Sequence, residues 1–506
     1  MTVMKLKNLG MIVLIIASLL IGATPLYPIP KEIEKALKLN RINHFDEALD
    51  EVNRALKEER IKPDITSAYT IGRILYRKGE LYREMAKLNV LTHIGYMLQL
   101  NEGEKNPADE TLLFLGIGYF FNNQYQDAID VLRKVVNNRK VDSELFHLSL
   151  VYLGASYYQM GDHKKAEALW ERVGRNNILA YSTLGYIYSY FMIDVTKGEE
   201  MTRSLLGEAE SARILYADTI KMNHAYTLLA LGRFDDAYDF VKDIDLNNPV
   251  YIYKPDQKTE IRFYDFTILD SYSKIMFGES IKNLEPVVTS SSGELASFAC
   301  YYVAQMYLHL KDYEKALRFT LKAQKLAVIS SLTMIRAVAC EASIDFLLDK
   351  DRQGARLLED EITRIHGKPS SLLEMINVVI ASSVDYSKVK DLVSKVEGYL
   401  YDTQWERTRR DSALLGELAF FTGRYVRALY YLERARDKGN KNKIETNDPT
   451  FLLKLSYVYY SREYYPESLE ILFSLAKSFS GIRPLQDAVQ SVYSYKQKGS
   501  GEAIID

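Results

Sequence analysis

The stretch YLGASYYQMGDHKKAEALW, Tyr152 to Trp170, decides how the rest of the chain is read. Leu153, Gly154 and Tyr157 in its first half recur, with Leu150 just before it, at the three- and four-residue spacing of one helix face, with Ala155 beside them. Gly161-Asp162 breaks that pattern. Glycine takes the left-handed conformation that ends a helix, so the pair marks a C-cap and turn. A second helix follows, with Ala166, Leu169 and Trp170 on one side and Lys164, Lys165, Glu167 and Glu171 mostly on the other. So short a turn lays the two helices antiparallel, and the small Ala166 is expected to fit against Gly154.

One helical hairpin cannot bury its own apolar face, so copies are expected. LLFLGIGYFFNNQYQDAIDVL (112–132) repeats the order with Leu115-Gly116, Tyr119, Tyr125, Ala128 and Leu132. LLGELAFFTGRYVRALYYLERA (414–435) repeats it with Leu415-Gly416, Gly423, Tyr425, Ala428 and Leu432. Weaker copies carry Phe45, Ala48 and Ala55; Gly232, Phe234 and Ala237; Tyr313, Ala316 and Ala323; and Tyr465 with Ser468. Ala128 to Ala166 spans 38 residues and Ala428 to Ser468 spans 40; the gaps 48–128 and 237–316 are two such units each.

This order resembles the tetratricopeptide repeat, with Leu-Gly-x-x-Tyr in the first helix and Gly-x-Tyr-x-x-Ala opening the second. The match is nearly full at 153–166 and 415–428 and good at 115–128. The units exceed the family's usual length of about 34 residues, so their loops are extended. The resemblance covers most of 31–490, with copies near 67–100, 190–215, 262–300 and 370–410 placed by helical periodicity alone. It implies an all-α chain, an α-solenoid forming a right-handed superhelix of antiparallel helix pairs.

Length agrees with that reading. At 506 residues the chain exceeds one compact core, a limit that a solenoid escapes because each unit touches only its neighbours. Proline seldom interrupts the helical stretches and strand-like alternation is nearly absent. The 38 tyrosines suit inter-helix seams and binding grooves alike, since the ring packs while the hydroxyl stays polar. A net charge of −2 with both signs interspersed argues against nucleic acid.

At the N-terminus Lys5 and Lys7 precede LGMIVLIIASLLIGA (9–23), which carries no charge, and Pro25, Pro28 and Pro30 follow. A basic start, an apolar core and small residues at its end make residues 1–30 a signal peptide or signal anchor. Cleavage after Ala23 and retention as an anchor both stay open, because Ile21 stands where a small residue is preferred. In either case the repeats cross the membrane, giving an exported protein, periplasmic or anchored to the inner membrane and facing the periplasm. The remaining organisation is a repeat array over 31–242, a loop or hinge at 243–261, a second array over 262–490 and a flexible tail at 491–506.

Cys300 and Cys340 lie one repeat apart. In an oxidising compartment a bridge between them is conceivable, but packed helix axes stand about 8–10 Å apart and a bridge needs Cα atoms within about 7 Å, so two separate buried thiols are favoured. No phosphate-binding loop, metalloprotease motif or nucleophile elbow occurs, and the seven histidines are scattered. A lytic transglycosylase would need a lysozyme-like domain beside its helices, and repeat units reaching about residue 477 leave no room for one. The expectation is therefore no enzyme, no cofactor and no metal.

In the tetratricopeptide family the first helices line the concave face and hold the ligand. The resemblance implies a groove lined by Leu113, Phe114, Ile117, Phe120, Phe121, Tyr152 and Tyr158, then Leu414, Phe420 and Phe421, then Tyr457 and Tyr460. Such a lining suits a protein partner presenting an apolar helix or extended segment. The same rings can instead fill the seams between units, and the two readings stay open. The expected function is a protein–protein interaction scaffold or adaptor of a cell-envelope assembly. The alternatives are a periplasmic chaperone or peptide binder and, behind it, a cell-wall enzyme or its activator.

Overall fold

The computed structural model describes residues 30–101, 107–211, 217–241, 244, 251–253, 261–263, 266–290, 293–329, 331–382, 384, 386–403, 405, 407–436, 448–479 and 489. The signal segment, most of the 243–261 loop and the 491–506 tail lie outside them. Twenty-two helices run through the described residues: α1 Lys31–Arg41, α2 Phe45–Lys57, α3 Ile65–Asn101, α4 Asp109–Phe121, α5 Tyr125–Asn137, α6 Ser143–Gln159, α7 His163–Trp170, α8 Ile178–Tyr190, α9 Val195–Ser211, α10 Ala217–Ala230, α11 Phe234–Val241, α12 Phe266–Ser290, α13 Glu294–His309, α14 Tyr313–Leu326, α15 Leu332–Leu347, α16 Asp351–Arg364, α17 Pro369–Ala381, α18 Tyr386–Asp402, α19 Arg409–Phe421, α20 Tyr425–Ala435, α21 Pro449–Ser461 and α22 Tyr465–Ser478. The fold is all-α, as expected. Among the described residues the departure is a hairpin of two three-residue strands, β1 Tyr251–Tyr253 and β2 Ile261–Phe263, paired antiparallel; it begins in the 243–261 stretch expected to be a loop or hinge and runs two residues past it.

One turn geometry recurs in most of the helix pairs. Two residues before the second helix the backbone turns left-handed, at Gly161 (φ +82°) and Gly423 (φ +73°), where glycine has no Cβ to clash. The same place is taken by Asn43, Asn123, Lys311, Asp349 and Glu463, all with φ between 58° and 66°. Asp162 then caps α7, its carboxylate accepting from the Lys165 amide at 3.3 Å.

Small residues let the paired helices approach. A Cβ at Gly116 would strike Leu132, and one at Gly416 would strike Leu432. At Gly154 the atoms nearest such a Cβ belong to the Trp170 indole, so Trp170 rather than Ala166 covers that glycine. The indole N–H donates to the Val151 carbonyl at 3.1 Å, which satisfies its polar edge inside the seam. Ala128, Ala166, Ala237, Ala316 and Ala428 are fully buried.

The chain divides into two compact units. One holds the described residues of Met1–Arg77 and Phe277–Asp448, the other those of Lys78–Met276 and Pro449–Asp506. Each draws on two separate stretches, whereas the expected arrays, 31–242 and 262–490, are continuous. Helices α3 and α12 contribute one end to each unit. In the first unit α1–α2, α13–α14, α15–α16 and α19–α20 form pairs, and the first helices α13, α15, α17 and α19 touch in succession. In the second unit the pairs are α4–α5, α6–α7, α8–α9, α10–α11 and α21–α22, with α4, α6 and α8 in succession and α10 next to α8.

One pair of the first unit is discontinuous. A Cβ at Gly72 would strike Leu284, and the Ser280 hydroxyl donates to the Gly72 carbonyl. Leu284 stands four residues after Ser280, as Leu132 stands four after Ala128. Residues 65–77 and 277–290 thus pack as a repeat whose halves are some 200 residues apart in the sequence, with Lys78–Met276 of the second unit between them along the chain. Both cysteines are free and buried, as expected, and burial pushes each thiol up to about 11.

Candidate partner-binding faces

In the second unit the expected groove residues on α4 and α6 pack into a cluster with Phe191, just after α8. Leu113, Phe114, Ile117, Phe120 and Tyr152 are buried, while Phe121 and Tyr158 are half-buried. The Phe120 ring lies 5.1 Å from Phe121, 5.6 Å from Tyr152, 5.9 Å from Tyr125 and 6.2 Å from Phe191. Tyr158 stacks on Phe191 at 5.1 Å and 17°. Most of these rings therefore face other rings, and burial pushes the Tyr125 phenol up to about 12. On α21, Tyr457 and Tyr460 are half-buried, and Tyr460 packs on Tyr465 at 5.9 Å.

Further along the same unit the chain fills its own tyrosine face. The Lys274 ammonium of α12 lies 4.5 Å from the Tyr190 ring of α8 and 5.0 Å from the Tyr226 ring of α10. Asp270, one turn earlier on α12, pairs with it at 2.6 Å. Ring quadrupoles and the carboxylate together hold a cation that is only 7% exposed. Burial, then the nearby Asp270 charge, keeps the Tyr226 phenol protonated well above its ordinary range. Sequence reasoning missed this arrangement because Lys274 lies far along the chain from both tyrosines; only contact in the folded unit joins them.

The first unit carries a different face. Leu414, Phe420 and Phe421 are half-buried on α19. Phe420 packs on Tyr425 at 5.6 Å, and Phe421 meets Tyr386 edge-on at 5.3 Å. The Leu414 carbonyl accepts from Asn377 at 3.3 Å. The twelve expected residues therefore do not line one surface: nine belong to the second unit and three to the first. Beside these three runs an ionic ladder absent from the expectation. Arg336 of α15 donates to Glu374 of α17 at 2.8 and 3.2 Å, and Arg410 of α19 reaches the other oxygen of Glu374 at 2.5 Å. Burial opposes the Arg336 charge, and Glu374 outweighs it, so this guanidinium is held above its ordinary value. The signal was available, since 336, 374 and 410 are spaced by 38 and 36 residues, about one repeat each.

Among the described residues no group of three or more His, Cys, Asp or Glu could hold a metal, and no helix is long and apolar enough to cross a membrane.

The tetratricopeptide repeat model matches residues 147–172, which include the hairpin that opened the sequence reading. No curated protein matches the chain. Among solved structures, yeast Tom70 is similar at 13% identity and a TM-score of 0.32, covering 93% of this chain and 96% of that one. The Cut9–Hcn1 hetero-tetramer of the APC/C is similar at 12% identity and 0.26, covering 89% and 93%. The TPR domain of P58(IPK) is similar at 13% and 0.19, covering 78% and 99%. At such scores none of these fixes the superhelix or a partner.

Proposed function

Because the chain carries the tetratricopeptide repeat, we propose that it is a non-enzymatic protein–protein interaction scaffold of a cell-envelope assembly. The observation that carries the reading is the set of first-helix rings left partly open in the repeat stacks: Phe121, Tyr158, Phe420, Phe421, Tyr457 and Tyr460. Half-buried aromatic side chains on rigid elements supply contact area at little cost in conformational entropy, which suits an apolar helix or extended segment of a partner. The basic and apolar segment over 5–23 supports export, with the repeats in the periplasm, either free or held at the inner membrane by that segment.

The test is photo-crosslinking in the native cell, with benzoyl-phenylalanine at Phe121 and at Phe421 and a control at the exposed Lys164. One dominant adduct, recovered in a stoichiometric complex, is expected. A smear of adducts would favour the chaperone reading, and the absence of adducts at both positions would overturn the groove. Fractionation with N-terminal sequencing tests export: a chain found in the cytoplasm with its first residues intact would remove the envelope from the reading.

A further inference from the structure

The first unit holds a pocket that the first-helix reading does not use. Its volume is about 480 Å³, and Tyr401, Arg407, Val426, Arg427, Tyr430 and Tyr431 line it. It sits on second helices, between the end of α18, the segment before α19, and α20. Concave spaces of this size are where ligands of a few residues bind.

Cations and rings alternate along its wall. The Arg427 guanidinium stands 4.6 Å from the Tyr401 ring. Tyr401 stacks on Tyr431 at 5.9 Å and 14°. The Arg407 guanidinium follows, 5.8 Å from Tyr431 and 5.3 Å from Trp405. The rings flank both guanidiniums, and Arg407 also donates to the Leu400 carbonyl at 3.4 Å. Among the described residues neither has a carboxylate within ion-pair distance, although this chain pairs arginines freely elsewhere: Arg424, next to the same helix, bridges Glu397 at 3.0 Å. Apolar surface is open beside the charges, with Val426 65% and Tyr430 55% exposed.

We propose that this pocket binds an acidic peptide segment of a protein partner, with a carboxylate between Arg407 and Arg427 and a neighbouring apolar side chain against Val426 and Tyr430. The proposal rests on the scaffold reading and adds a second contact surface to it. Guanidinium forks match carboxylate geometry, and pre-placement on aromatic faces lowers the ordering each bond demands. The open Val426 and Tyr430 favour a guest with an apolar part over a bare anion.

A random heptapeptide phage library selected on the immobilised full chain tests this. The expected outcome is enrichment of peptides in which Asp or Glu adjoins an apolar residue. Recovery should fall by roughly tenfold or more on Arg427→Gln. It should fall as far on Val426→Asp, a change at an exposed side chain that leaves the ring ladder intact and keeps the melting temperature. Selected peptides with no acidic preference, or with equal recovery on both variants, would overturn this site while leaving the Phe121 and Phe421 crosslinks as a separate test of the scaffold. Full release of the peptides by excess inorganic phosphate would show a general oxyanion site and overturn the peptide assignment. So would enrichment of no peptide at all.

Discussion

The two units obey one packing rule and carry different chemistry on their first helices. In both, a left-handed residue sets the turn and a small residue admits a large one from the paired helix: Gly116 with Leu132 in the second unit, Gly416 with Leu432 in the first. Yet the second unit presents Tyr190 and Tyr226 to its own Lys274, while the first lays Arg336, Glu374 and Arg410 across three successive repeats. Positions that touch the paired helix are constrained by distance. Positions facing away from it meet no such limit, so the repeat can be kept while its face changes from aromatic to ionic.

The sharpest way to break this contrast is Glu374→Ala. The Glu374 and Arg336 side chains are 9% and 12% exposed, so removing the carboxylate strands a buried guanidinium. Breaking a buried pair from one side costs about 3–5 kcal/mol. Urea denaturation of the full chain should show that loss, and replacing both Arg336 and Glu374 by Leu should recover most of it. A loss below about 1 kcal/mol would mean that water already neutralises the bridge, and the first unit would have no ionic core to contrast.

Next in size is the discontinuous pair. Gly72→Ala drives a methyl group into Leu284 and should cost about 1–3 kcal/mol. With Leu284→Ala already present the same change should cost less than about 0.5 kcal/mol, because the obstacle is gone. Additive losses would mean that 65–77 and 277–290 do not pack as one repeat.

That pair also shows where the sequence stopped being legible. Hairpins whose turn and small residues lie within 12 to 16 positions of each other, as from Gly154 to Trp170, could be read directly. The Gly72 pair has the same geometry over 212 residues and leaves no local pattern. Three of the weaker copies had a different cause: Asn43, Lys311 and Glu463 take the left-handed position that a search for glycine passes over. On the faces, residue type was legible and neighbours were not. Phe120 reads as a groove residue by its place on α4, but the rings that cover it come from α6 and the segment after α8.

Acid should act on the second unit first. Three histidines held below their ordinary value, His93, His147 and His224, belong to it. Burial takes His224 down to about 4, and its ring meets the Thr202 hydroxyl at 3.0 Å. The folded state therefore binds this proton less readily than the unfolded chain, whose histidines titrate near 6.5. Its stabilising effect is complete above about pH 6.5 and declines as pH falls towards 4, by about 2 kcal/mol at pH 5. Thermal melts between pH 7 and 5 should show the second unit losing ground, and His224→Gln should flatten that slope. A slope unchanged in the variant would place the acid sensitivity elsewhere.

The smallest effect concerns the self-filled tyrosine face, and it decides whether that face is packing or charge recognition. Lys274→Met keeps most of the side-chain length and loses the cation. Contacts of a cation with two rings are worth about 0.5–2 kcal/mol, and the Asp270 carboxylate, 26% exposed, can turn to water once its partner is gone. The expected loss is therefore about 1 kcal/mol, well short of the loss at Glu374. Lys274→Arg should retain more than half of the difference, since guanidinium also sits well on tyrosine. If methionine proves as stable as lysine, shape alone holds α12 against Tyr190 and Tyr226. The two units would then differ less in chemistry than their contacts suggest.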